Sequence, residues 1–211
     1  MKAILSFGLL LALVGCQDEP VDLAPVEGTV GEGDILDLGT APYRDRRRMD
    51  IDQLQASVLR VTDGIDWVQG NTNQFERFRD TLGAPDYINS TAEDTAVSVL
   101  FLKFVDDMAR RVCDQLVRRE TGSVTDEDPR GVLFVSVDPA AEEAPAQSAV
   151  DDNLAYLLLR YHGRRVDPGS AELDPWRQLY AGASAAEEAS QADAWEAVCV
   201  GMMNHPDFYT Y

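Results

Sequence analysis

Between Ala96 and Val105 the only polar side chains are Ser98 and Lys103, and nothing else in the chain constrains its fold as strongly. From there to Arg119 the pattern turns amphipathic. Met108, Val112 and Leu116 recur at helical spacing, while Asp106–Arg110, Asp107–Arg111 and Asp114–Arg118 stand four residues apart. The spacing predicts one long helix from about Ala92 to Arg119. Its cap comes from Ser90 with Glu93, or from Thr91 with Asp94. A helix apolar nearly all round belongs in the middle of a bundle, so residues 96–105 are expected to be buried. Lys103 would then snorkel along the helix to water.

Other helices are expected around that one. Asp50 with Gln53 makes a capping-box start, followed by Ile51, Leu54, Val58 and Val61 and closed by Gly64. A short helix over Asn73–Leu82, stopped by Gly83 and Pro85, would turn Phe75, Phe78 and Leu82 inward, with Trp67 just before it. Thr121–Ser148 reads as a long acidic connection in which 132–135 forms one short strand or covers the bundle. Helices resume at Val150–Tyr161, Ala171–Ala181 and Gln191–Met203, with caps at Ser148, Ser170 and Ser190. Asn204 and Pro206 end the last of them. The expected fold is all-α: a compact, irregular bundle of five to six helices with a long central helix, over residues 47–211.

The start of the chain reads as an address. Lys2 precedes an apolar run from Ala3 to Gly15, which leads into Cys16. Thirteen helical residues reach only about 20 Å, short of the ~30 Å hydrocarbon core. Residues 1–15 therefore read as a processed export signal. Leu13-Val14-Gly15-Cys16 resembles the lipobox of bacterial lipoproteins. That resemblance implies lipidation of Cys16 and attachment to the membrane through the lipid. Gln17 in place of Asp favours the outer over the inner membrane by the same family's sorting rule. Residues 17–46 hold Pro20, Pro25, Pro42, four glycines and a surplus of acids. They read as a flexible tether reaching ~30 Å.

The chain has 18 basic and 37 acidic residues, and loss of the signal removes Lys2, giving 17 against 37 or −20. Such a field repels nucleic acid, which is excluded as a partner, and anionic head groups. Attraction of divalent cations or basic partners is compatible with it, as is a merely solvated acidic surface. Apart from Cys16 there are two cysteines, Cys113 and Cys199. In an oxidising compartment they are candidates for one disulfide; two buried free thiols are the alternative.

Catalytic signatures are missing. The two histidines, His162 and His205, belong to no His-Glu-x-x-His motif, and no Cys or His pair stands at zinc spacing. Covalent haem, Gly-x-Ser-x-Gly hydrolase, phosphate-loop and calcium-loop patterns are likewise lacking. No catalytic residue, metal or cofactor is assigned. The residues singled out are His162 with Arg164 and Arg165 at one helix end, and His205 in Asn204-His205-Pro206. A cap or dipole role is the simpler reading of each histidine.

Tyr161-His162-Gly163-Arg164-Arg165, Ala171-Glu172-Leu173, Trp176–Tyr180 and Trp195–Met203 leading to His205-Pro206-Asp207-Phe208 resemble a helical region of certain large proteins. These are secreted, cytochrome-associated proteins of planctomycetes and myxobacteria, of unknown function, and the likeness is to their C-terminal helices. It implies a helical fold and an envelope setting. No redox role is implied, since the haem-binding parts are missing. The expectation is a lipid-anchored extracytoplasmic accessory or binding protein with a possible envelope protein partner. The rival is an envelope hydrolase using carboxylates or a histidine.

Overall fold

Asp50 opens the first helix. Its carboxylate accepts from Gln53 N while the Gln53 side chain accepts from Asp50 N, the reciprocal box read in sequence. In the computed structural model, residues 47–82, 95–122, 131–141 and 143–211 are described. The signal, Cys16, the tether, Gly83, Pro85 and the caps proposed at 90–94 lie outside them. Helix α1 spans Ile51–Val61 and buries Ile51, Leu54, Val58 and Val61. Gly64, at φ +93°, follows in the left-handed region that a side chain would resist. A two-residue hairpin then forms, β1 (Val68–Gln69) antiparallel to β2 (Thr72–Asn73), with Gly70 in its turn. Two residues per strand left no periodicity to read in sequence. Asn73 caps α2 (Gln74–Phe78), and a 3-10 turn at Asp80–Leu82 follows. Trp67, Phe75 and Leu82 are buried and Phe78 is packed against them.

Helix α3 runs Val99–Gly122. Its inner face carries Phe101, Phe104, Val105, Met108, Val112, Cys113 and Leu116. The expectation that residues 96–105 are buried all round is overturned. Val97, Val99, Leu100 and Leu102 are 45%, 84%, 51% and 41% exposed, so the start of the helix lies at one end of the bundle with only one side covered. Lys103 is exposed and pairs with Asp107. Asp106–Arg110 and Asp114–Arg118 pair as read, but Arg111 turns to Asp114 instead of Asp107.

The following helices are α4 (Gln147–His162), α5 (Asp174–Ser184), α6 (Gln191–Asn204) and α7 (Pro206–Tyr209). Ser170 and Ser190 cap as expected, the first on a 3-10 turn at 171–173 and the second in a capping box with Asp193. Ser148 does not. The N-cap of α4 is Ala146, without a side-chain bond, and Ser148 lies inside the helix. Residues 131–137 form no strand; they cover the bundle, with Leu133 fully buried.

The described residues form an all-α fold of seven helices, two of them five residues or shorter. Helix α3 packs chiefly on α6, and α6 on α5. Cys113 of α3 and Cys199 of α6 form a disulfide in this interface, Cα to Cα 5.9 Å, both fully buried. The last residues return to the first. Tyr211 N donates to Arg47 O at 3.0 Å and Met49 N to Tyr209 O at 2.7 Å. Phe208 and Tyr209 are buried, so the aromatic tail docks on the bundle.

Candidate functional site

Helix α4 ends at Gly163, whose left-handed φ of +65° stops the helix and leaves His162 on its last turn. Helix α6 ends where His205 adopts extended backbone, allowing Pro206 to open α7 at once. These two stops bring the histidines together. Their rings stack with centroids 4.9 Å apart, and Trp176 of α5 lies 5.7 Å from each.

The ring nitrogens have different partners. His162 Nε2 lies 2.9 Å from Met202 O. A carbonyl only accepts, so Nε2 carries the proton and Nδ1 of the neutral ring holds a lone pair. That Nδ1 is buried and has no hydrogen-bond partner. Burial lowers the His162 pKa, and the neighbouring His205 and Arg164 act in the same direction; the bond to Met202 O and the charge of Asp207 oppose them. His205 Nδ1 accepts from Asp207 N at 3.2 Å, capping α7, and lies 3.7 Å from Asp207 Oδ2. Arg164 reaches Asp207 at 3.6 Å and Glu172 at 2.6 Å. Arg165 is exposed.

His162, His205 and Arg164 are thus brought into one cluster, while no contact places Arg165 in it. Asp207 and Trp176 complete the group and were not singled out as site residues in sequence. For Asp207 a signal existed: an acid two residues after a histidine and one after a proline has the register of a helix cap. Trp176 carried none, since a Trp on an amphipathic helix reads as core.

No family model, curated protein or solved structure matches this chain. The function is therefore argued from the side chains.

An open groove of about 480 Å³ lies where α3, α5 and α6 meet, lined by Arg110, Leu179, Asp193, Glu196, Val200 and Gly201. Burial raises the Glu196 pKa, and the charges of Asp114 and Asp193 add to that. Neither histidine lines the groove. The tight passage in it is at Gly201, where a Cβ would come within 2.7 Å of the Leu179 side chain.

Proposed function

We propose that this chain is a lipid-anchored accessory protein of the bacterial envelope, held through Cys16 and docking a protein partner at the exposed start of α3. The observation that carries the reading is the apolar group Val97, Val99, Leu100 and Leu102, exposed at one end of the bundle. Lys103 and Asp107 on the same helix give it a charged rim. The apolar group lies beside the first described residues, because Arg48 N donates to Thr95 O and Arg48 Nε to Ala96 O.

Export through the signal at residues 1–15 agrees with the buried Cys113–Cys199 bridge, since disulfides persist in oxidising compartments. Gln17 favours the outer membrane. A hydrolase at the groove would have to work with the carboxylates of Asp193 and Glu196, since neither histidine lines it.

Labelled fatty acid should enter the wild-type chain and not the Cys16→Ser variant, which should also leave the membrane fraction. Crosslinking from the native envelope should recover one stoichiometric partner. Val99→Ser with Leu100→Ser should abolish that recovery while the circular dichroism spectrum stays unchanged. Equal recovery by both proteins would refute the docking surface.

A further inference from the structure

We propose that His162, His205 and Asp207 form a binding site for a zinc-like divalent transition ion, with a fourth position open to solvent. One ligand atom from each of the three residues lies within 4.8 Å of the other two. Two nitrogen ligands and one carboxylate oxygen suit zinc and its neighbours; calcium and magnesium prefer all-oxygen sets.

His162 is prepared for this role. A ligating histidine characteristically donates its other N–H to a carbonyl or carboxylate, which fixes the tautomer and the ring. Met202 O takes the Nε2 proton at 2.9 Å, so the lone pair sits on Nδ1. That atom is buried without a hydrogen bond, a costly arrangement that a bound ion relieves.

The other two ligands already stand near the spacing that an ion requires. Ligands ~2.0–2.1 Å from a tetrahedral ion stand about 3.4 Å apart, and His205 Nδ1 with Asp207 Oδ2 is already at 3.7 Å. The remaining closure falls on His205, whose half-exposed ring sits on the two-helix junction between α6 and α7. It gives up one long bond, the 3.2 Å contact from Asp207 N, and tilts out of the stack. Arg164 opposes a cation here. Its contact to Asp207 is long at 3.6 Å, whereas Glu172 holds it at 2.6 Å and takes up its charge. Trp176 shields one side. The net charge of −19 raises the local concentration of any dication. His162 and His205 are far apart in sequence, so no spacing motif exposes the pair.

Neither Cys16 nor the exposed end of α3 contributes a ligand, so this site stands or falls independently of the anchor and the docking surface. The test uses the full mature chain carrying Cys16→Ser, stripped with chelator and titrated with zinc chloride in a calorimeter. One ion per chain is expected. His162→Gln and Asp207→Asn should each weaken affinity at least tenfold, and Asp152→Asn, an exposed acid elsewhere on α4, should not. Cobalt(II) should give the visible absorption of a tetrahedral site, lost in His162→Gln. Circular dichroism of each variant separates lost binding from lost folding. Asp207→Asn, which keeps the backbone cap, serves if His162→Gln fails to fold. No saturable uptake, or equal uptake by Asp207→Asn and Asp152→Asn, would overturn the site.

Discussion

The segment 131–137 has no regular structure of its own, and two side chains from neighbouring helices hold it in place. Glu120, near the end of α3 and with a side chain only 7% exposed, accepts at Oε1 from Val132 N at 2.7 Å. Its Oε2 accepts from Leu133 N at 3.1 Å and Phe134 N at 3.2 Å. Asn153 of α4 is fully buried. Its Oδ1 accepts from Val135 N at 2.9 Å and Ser136 N at 3.1 Å, and its Nδ2 donates to Leu133 O at 3.0 Å. A net hydrogen bond is worth about 1 kcal/mol and one to a charged group up to about 3. On that scale Glu120→Ala and Asn153→Ala should each cost about 3 kcal/mol. Loss of either pin should lift the whole segment and expose Leu133. The second substitution then removes little more, and the double variant should lose about 4 kcal/mol, well short of the sum of the two. Urea unfolding followed by circular dichroism measures all three. If the costs add to within ~0.5 kcal/mol, the two pins act independently and the segment is not one cooperative unit.

Three further outcomes follow from the fold. Reducing the Cys113–Cys199 bridge in denaturant before refolding, which opens a loop with a separation of 86 residues, should lower stability by about 4–5 kcal/mol on the chain-entropy estimate; equal denaturation midpoints for the oxidised and the refolded reduced chain would contradict this. The folded pKa of His162 lies below its unfolded value of about 6.5, so the unfolded chain binds the extra proton. Stability is then lost as pH falls from about 6.5 toward the folded value, and His162→Gln should flatten that part of the pH profile. Gly163→Ala should cost about 1 kcal/mol because φ is +65°, as read from the thermal midpoint; an unchanged midpoint would show that the helix end adapts.

Local signals in the sequence carried much of this architecture. Asp50 with Gln53, Ser170 and Ser190 are read correctly because a cap depends on residues within a turn of it. The expected burial of Val97, Val99, Leu100 and Leu102 fails because hydrophobicity reports what a helix tolerates, while exposure depends on what the rest of the chain places beside it. Ser148 failed for a similar reason, as α4 starts one residue after Ala146, ahead of that serine. Asp107–Arg111 was lost to competition, since Lys103 reaches Asp107 and Asp114 attracts Arg111. The histidine cluster depends on two helix ends meeting in space, and single-sequence patterns do not encode that meeting. Glu120 and Asn153 gave no signal, being single polar residues on otherwise ordinary helices.

The bridge between α3 and α6 also sets an order of assembly. Cys113 has to wait for Cys199, and Arg48 for Thr210, so neither the core nor the seam between first and last described residues can close before the C-terminal helices are present. A chain of this design completes its interior only after Cys199 has become available to Cys113. It becomes resistant to reductant only once both sulfurs have disappeared into the interior, where a thiol from outside no longer reaches them.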